Sequence, residues 1–354
     1  MSQKSCSCVK AVFGSYILRV DGVALAQAAG SNGAQRPVLN DTTDLPLQNV
    51  IDIAGGPNFG CAVVADRSVY CWRTAAAGNT YGQLGNGATD TNGALYRATK
   101  VLTAAGTALT NVKAMAIADY PGASVAAPCA TTVDGNLYCW GRVTWTVNNG
   151  TALNSPYAQA ITTNGTIALS GVVQAATNGR DSCVIRTGSS GNEVWCWGRN
   201  TANTLGLGDT TNRQYPVKVS GVTNPSKVIV GSTTNYDMSC ALEGTGVRCW
   251  GQNSFGTIGI GNTTTPIISP TPVLENATTA LSQIVDISPG DGNMCSLRSN
   301  GTLWCWGSGY QNFAANYGVT NVVALGWADD PRFLTSDGVY HLGSITRAPN
   351  CGPL

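Results

Sequence analysis

Charge is what this sequence has least of. Lys, Arg, Asp and Glu make up 11% of the chain, against about 25% in ordinary globular domains. The formal net charge is +1 and no run of basic residues occurs. Nucleic-acid binding rests on Lys and Arg displacing counterions, so no nucleic-acid partner is expected. Histidine occurs once, at His341, so a catalytic imidazole there would have no second base of its kind. No stretch approaches the roughly 20 apolar residues that a membrane-spanning helix needs, and no long helical pattern stands out. Nucleophile elbow, Walker loop and zinc-protease helix are all missing. The Gly-rich runs lack the terminal Gly-Lys-Ser/Thr of a phosphate loop, and Asp329-Asp330 reads as a solvated turn. The expectation is no catalytic residue, no cofactor and no metal.

What is abundant is punctuation. The chain has 43 Gly and 13 Cys in 354 residues. The key stretch is Cys129-Ala-Thr-Thr-Val-Asp-Gly-Asn-Leu-Tyr-Cys-Trp-Gly141. Asp134-Gly135 between apolar runs is a strong hairpin signal, because such turns need positive φ. The two cysteines fall one on each arm, near enough on an antiparallel pair to bond. Further copies run Cys61 to Cys71-Trp72, Cys183 to Cys196-Trp197, Cys240 to Cys249-Trp250 and Cys295 to Cys305-Trp306. Two weaker copies flank them. One has Tyr16 and Ala26 at the cysteine positions; in the other we place Arg332 and His341 there. Joint loss of both cysteines is what a bonded pair predicts.

Seven units at about 50–65 residue spacing mean a solenoid, propeller or array. Each unit adds an upstream apolar strand, such as Val50-Ile-Asp-Ile53 or Ile284-Val-Asp-Ile287, and most a downstream Gly-rich segment, such as Tyr81 to Gly87. The expected fold is all-β: one seven-bladed β-propeller over 1–354, with four-stranded blades, closed by pairing of the N- and C-terminal segments. Hairpin cores are expected near 16–26, 61–72, 129–141, 183–198, 240–251, 295–307 and 332–343.

Cys295-Ser-Leu297 through Trp306-Gly307, Cys240-Ala-Leu242 through Gly261, and Cys183 through Gly208 give the chain a pattern that resembles the repeat family of the regulator of chromosome condensation. The cysteine-stapled form is similar to secreted bacterial members of that family. The resemblance covers nearly the whole chain and implies the propeller fold. It offers two functional precedents: a nucleotide exchange factor that binds a small GTPase and chromatin, and a secreted inhibitor of β-lactamases. The nuclear setting of the first conflicts with the cysteines, and no residue here specifically carries the second.

Ten cysteines in hairpin pairs place the protein in an oxidising setting. Metal ligands would stand two to four residues apart; here the intervals hold eight to twelve. Cys351 is expected to bond Cys6 or Cys8, closing a loop of nearly the whole chain. The odd cysteine is either free or bonded to a neighbouring molecule. Residues 11–26 mimic a secretion signal ending Ala24-Leu-Ala26, but Arg19 and Asp21 break its apolar core. They are read as folded strand. Export then needs a leader missing from this chain, release by lysis, or a specialised apparatus. Residues 31–49 read as a polar linker. The segments 74–110, 143–170 and 199–225 read as long face loops, with Trp145, Tyr157 and Tyr215 as candidate binding residues or local packing. Trp72, Trp140, Trp197, Trp250 and Trp306 are expected between blades, with ligand stacking the alternative. Six Asn-x-Ser/Thr sequons begin at Asn40, Asn149, Asn164, Asn262, Asn276 and Asn300.

These readings converge on a non-enzymatic binding or display module. It would be extracellular or on a cell or particle surface, recognising a protein or glycan through its face loops. The alternative is a structural subunit of a virion, appendage or filament that assembles through its N-terminal segment.

Overall fold

The computed structural model describes residues 9–13, 16–27, 35–55, 58–75, 79–89, 94–119, 126–143, 153–231, 237–290, 292–326, 332–336, 340–342 and 345–347. Among these there is no α-helix, and the strands form seven four-stranded antiparallel blades and one separate small hairpin, Leu102–Ala104 with Thr107–Ala108. Blade 1 is Val9–Phe13, Tyr16–Arg19, Ala24–Gln27 and Gln35–Pro37. Blade 2 is Val50–Gly55, Phe59–Val64, Val69–Arg73 and Arg97–Lys100. Blade 3 is Val112–Asp119, Ala126–Thr132, Leu137–Val143 and Leu153–Ala160. Blade 4 is Val172–Thr177, Asp181–Gly188, Gly191–Gly198 and Arg213–Lys218. Blade 5 is Pro225–Gly231, Met238–Glu243, Gly246–Gly251 and Ile267–Pro272. Blade 6 is Ile284–Pro289, Asn293–Arg298, Leu303–Gly307 and Ala315–Asn316. Blade 7 is Val322–Gly326, Arg332–Thr335, Tyr340–Leu342 and Ile345–Arg347. The first strand of each blade is innermost and packs on its neighbours' first strands, including blade 7 on blade 1.

Closure differs from the expectation. Blades 1 and 7 are each built from consecutive strands, and no sheet among the described residues combines strands from the two ends. Among the described residues blade 7 meets blade 1 by packing, and blade 1 has its four strands within residues 9–37; residues 1–8 and 348–354 lie outside the described residues. The expected linker at 31–49 is also structured. Gln35–Pro37 is the outer strand of blade 1, and Leu39–Asn40 runs parallel to the outer strand of blade 2. The long "loops" likewise contain outer strands, whose polar, Thr- and Pro-containing sequences carry no apolar alternation to announce them.

Each hairpin core pairs its cysteines directly opposite: Cys61 with Cys71, Cys129 with Cys139, Cys183 with Cys196, Cys240 with Cys249 and Cys295 with Cys305. All five pairs are bonded, with Cα atoms 4.0 to 4.2 Å apart. In blade 1, Tyr16 faces Ala26. In blade 7 the facing pair is Arg332 with Leu342, and His341 faces Phe333. His341 therefore stands one place off the cysteine position, because the other pairs of this turn length are ten residues apart and Arg332 to His341 is nine. The turn at Asp134-Gly135 also differs in type. Only Gly135 has positive φ, at 78°, and its N–H donates to the Thr132 carbonyl. That is a three-residue turn ending in a left-handed glycine.

The tryptophans are what the blades are packed around. Trp72, Trp140, Trp197, Trp250 and Trp306 are all fully buried. Each sits in the apolar cluster of the preceding blade: Trp140 among Phe59, Cys61 and Cys71; Trp250 among Cys183, Ile185 and Cys196; Trp306 among Met238, Cys240 and Cys249. Three indole N–H groups also donate across the boundary: Trp140 to Gln83 O at 2.9 Å, Trp250 to Thr204 O at 2.8 Å and Trp306 to Thr257 O at 3.0 Å. The accepting loops are shaped by buried asparagines. Asn79, Asn200 and Asn253 accept from the backbone N–H of Leu84, Leu205 and Ile258, and donate to Ala88 O, Asp209 O and Asn262 O. A buried amide with both ends satisfied fixes a loop that has no ladder of its own.

The rim carries prolines. Pro37, Pro156, Pro216, Pro270 and Pro272 lie within the outer strands of blades 1, 3, 4 and 5. The outer strand of blade 2, Arg97–Lys100, has none and is covered by Leu39–Asn40.

Candidate binding faces

Antiparallel blades give the disc two unlike faces. The turn face carries the hairpin turns and the starts of the inner strands. The loop face carries the connections from first to second and from third to outer strands. Backbone bonds tie the turn face together: Val50, Val112, Val172 and Val322 N–H groups donate to Gly22, Arg67, Gly135 and Gly301 carbonyls of the preceding blade. The residue before each of these inner strands is left-handed, at Asn49, Asn111, Gly171 and Asn321. Asn and Gly are the residues that accept that conformation most readily.

Every inner strand then slips register by one residue. The breaks fall between Val9 and Ala11, Val50 and Asp52, Val112 and Ala114, Val172 and Gln174, Pro225 and Lys227, Ile284 and Asp286, and Val322 and Ala324. A bulge re-aims the extra side chain. The seven extra residues are Lys10, Ile51, Lys113, Val173, Ser226, Val285 and Val323. They form a ring near the starts of the inner strands, on the turn face, with Ile51 packed against the apolar cluster of blades 2 and 3. Val285 and Val323 are 53% and 54% exposed. Sequence reasoning missed this ring. Its signal was available in the break of alternation after the Val or Ile that opens six of the inner strands, and after Pro225 in the seventh, where a polar or small residue takes the next paired position.

Those next residues link one blade to the next. Asp52 accepts from Met115 N–H at 2.8 Å, Gln174 both accepts from and donates to Val228, and Lys227 pairs with Asp286 at 2.5 Å. Burial raises the Asp52 carboxyl above the usual carboxylate range, opposed by its backbone hydrogen bonds and the Lys10 charge.

The turn face also holds most of the exposed large apolar side chains. Val20, Leu45, Val133, Ile167, Val173, Val285, Tyr317 and Val323 lie there, and only Leu95, Phe255 and Ile268 lie toward the loop face, among the described residues. An apolar bias on one side of a sparsely charged disc is the kind of surface that partners cover.

The loop face has a charged cluster at the boundary of blades 4 and 5. The Asn178 amide oxygen accepts from Arg180 and Asp181 N–H groups, both at 2.9 Å, which shapes the turn. Arg199 N–H donates to Arg180 O. Both guanidinium groups reach the largely buried Asp237, Arg199 at 2.7 Å and Arg180 at 3.9 Å. Asp181 lies beside them, fully buried, with one oxygen lacking a hydrogen-bond partner. Its pKa is pushed up to about 8, by burial first and the Asp237 carboxylate second, against hydrogen bonds from Asn178 and Thr204 and the Arg199 charge. A group raised this way contributes stability below the unfolded pKa near 3.8, and that contribution is lost as pH rises through about 8. The melting temperature of Asp181→Asn, relative to the parent, is therefore expected to rise between pH 5 and pH 8. Parallel profiles for the two proteins would refute the assignment.

Tyr157 and Tyr215 are not loop residues. They lie on the outer strands of blades 3 and 4, half-buried. Tyr157 covers Gly87 and Tyr215 covers Gly165, each leaving no room for a Cβ on its glycine. That is packing between blades. Trp145, Cys6, Cys8 and Cys351 lie outside the described residues, as does Asn149. Asn164, Asn276 and Asn300 are exposed and cap local turns, each accepting from the N–H and hydroxyl of the Thr two residues on. Asn262 is exposed as well, and Asn40 is half-buried; each caps its own turn, bonding Thr264 and Thr42 N–H.

Comparison with known proteins agrees with the repeat architecture. Residues 192–235 and 284–312 match models of the Regulator of chromosome condensation (RCC1) repeat. Human Protein RCC2 is 35% identical over 85 residues, 24% of this chain and 16% of that protein. Human E3 ubiquitin-protein ligase HERC2 is 25% identical over 287 residues, 80% of this chain and 5% of that protein. The chain thus spans only a small part of these relatives. Among solved structures, human WBSCR16 superposes with a TM-score of 0.66 at 17% identity, covering 89% of this chain and 83% of that one. Prp20p from Saccharomyces cerevisiae, studied for binding to Gsp1p and histones, gives 0.61 at 14% identity, covering 90% and 79%.

Proposed function

For a chain that carries RCC1-type repeats, we propose the role of a rigid, non-enzymatic recognition disc that takes a protein partner on its turn face. The observation that supports this most directly is the concentration of exposed apolar side chains there, centred on the bulge residues Val173, Val285 and Val323. Protein partners have precedent on this fold in Prp20p. The five buried disulfides support an oxidising location, extracellular or on a cell or particle surface.

The test is affinity capture by the native protein, by Val285→Lys/Val323→Lys, and by Phe255→Lys on the opposite face. A protein captured by the parent and by F255K, but lost at least tenfold from the double variant, supports the reading. Equal capture by all three would sink it, and so would recovery of a glycan ligand only.

A further inference from the structure

On the turn face, the connection from an outer strand to the next inner strand forms a short tongue. In blades 1, 2, 3 and 5 the same bond closes it: Leu47, Leu109, Leu169 and Leu281 N–H groups donate to Val38, Val101, Ile161 and Val273 carbonyls. Between each tongue and the hairpin turn of the next blade lies a notch. Matched bonds fix the equivalent places in two of them. Asn40 N–H donates to Leu45 O and Ala65 N–H to Asn49 O, as Glu275 N–H does to Thr279 O and Ser299 N–H to Gln283 O. Val64 therefore stands where Arg298 does, and Tyr70 where Trp304 does.

Blade 6 fills its notch with an arginine. The Arg298 guanidinium lies over the Trp304 ring, 3.8 Å from its centroid, donates to Ser282 O at 3.1 Å and pairs with Glu275 of the tongue. Blade 4 likewise sets Arg186 over Trp195 at 5.1 Å, with Lys218 opposite that tryptophan on the outer strand. In blade 5 the place holds Glu243, which accepts from Thr223 N–H at 2.7 Å and pairs with Arg248. In blade 3 it holds Thr132, and the Asn111 amide donates across the notch to the Asp134 carboxylate. Blade 2 has Val64 there, and a cleft of 420 Å³ remains, its lining including Asn40, Leu45, Gln48, Val64, Asp66 and Tyr70. One Asp66 oxygen accepts from the Ser68 N–H at 2.9 Å and hydroxyl at 2.6 Å. The other has no partner among the described residues. Lys100 takes the place of Lys218, over the Tyr70 ring at 5.3 Å.

We propose that this cleft is a socket for an arginine side chain of the protein partner, the counterpart in trans of what Arg298 does within the chain. The inference rests on the turn-face reading above and names one anchor of that partner. A guanidinium entering here meets the Tyr70 ring, the Gln48 carbonyl (the counterpart of Ser282) and the free oxygen of Asp66. An aromatic face beside several acceptors suits the planar, multiply donating fork of arginine better than the point charge of lysine. Arginine seated in a pocket is also a common anchor of protein interfaces.

The probe is N-acetyl-arginine amide, titrated into the intact oxidised chain and followed by amide NMR, with the citrulline amide as its neutral isostere. Shifts are expected at Gln48, Val64, Ala65 and Asp66, with citrulline binding at least tenfold more weakly. Val64→Arg, which supplies the chain's own guanidinium as blade 6 does, is expected to weaken the probe at least tenfold. Arg298→Val is expected to open a second site against Trp304 and Glu275 and to double the probe bound. Shifts that survive V64R, or citrulline binding as well as arginine, would overturn the inference. Should V64R not fold, Asp66→Asn, which keeps the acceptor for Ser68, decides in its place: at least fivefold weaker binding is expected, and unchanged binding counts against the socket. In the capture experiment V64R is expected to lose the partner at least tenfold, and full capture would remove the socket from that interface. The titration contains no partner, so its failure stays distinct from failure of the turn-face reading.

Discussion

Replacing Trp250 by alanine is expected to lower stability by about 3–5 kcal/mol, the range for a large aromatic removed from a packed core. The ring is fully buried among residues of blade 4 and is the wedge between two blades, so the cavity opens at a boundary and neither side can collapse into it alone. A shift of the denaturant midpoint checks the value. The phenylalanine variants separate packing from hydrogen bonding. The Trp250 N–H donates to Thr204 O at 2.8 Å, and Trp250→Phe loses that bond, at about 1–2 kcal/mol. The Trp72 N–H is buried without an acceptor, its ring meeting Tyr16 edge-on at 5.6 Å between centroids. Trp72→Phe leaves the same kind of cavity but removes an unsatisfied donor, so it is expected to cost about 1–2 kcal/mol less than Trp250→Phe. An equal loss in both variants would mean that the indole hydrogen bonds contribute nothing.

Gly259→Ala is expected to be nearly as damaging, at about 2–5 kcal/mol from left-handed strain and overpacking together. Gly259 has φ +76°, and a Cβ there would stand 2.8 Å from Trp306 and 2.8 Å from Val273. The loop glycine and the tryptophan of the next blade are therefore a matched pair. Gly208→Ala is the control: its φ is also positive, at 82°, but nothing lies within 4 Å, so only the backbone term of about 1–3 kcal/mol remains. Thermal melts of both variants read the difference. If G208A is hurt as much as G259A, the contact with Trp306 is not what the glycine protects.

The parts of this fold that were legible in the sequence are those written in rare letters. Cys-Trp-Gly after an apolar run announces a third strand, since the cysteine needs a facing partner and the tryptophan a cleft. The outer strands were hidden because Arg97–Lys100 and Ile267–Pro272 have one side toward solvent and prolines or charges where alternation would show. The ring of bulge residues was hidden for another reason. A bulge shifts the period by one, so Val285 reads as a core residue by alternation and stands exposed. Asp181 illustrates the limit of composition. Nothing in Arg180-Asp-Ser182 separates it from a surface turn, and only the blade 5 side of the boundary, through Asp237, buries it beside a second carboxylate.

The prolines along the rim have a consequence for crowding. An unpaired outer strand is a template on which another chain can lay a strand of its own. Here Pro156, Pro216, Pro270 and Pro272 remove donors from three such templates, and Leu39–Asn40 occupies a fourth. Along that arc, blades 2 to 5, the rim offers another chain little to knit onto, and the open edges fall to blades 6 and 7, whose outer strands Ala315–Asn316 and Ile345–Arg347 hold no proline.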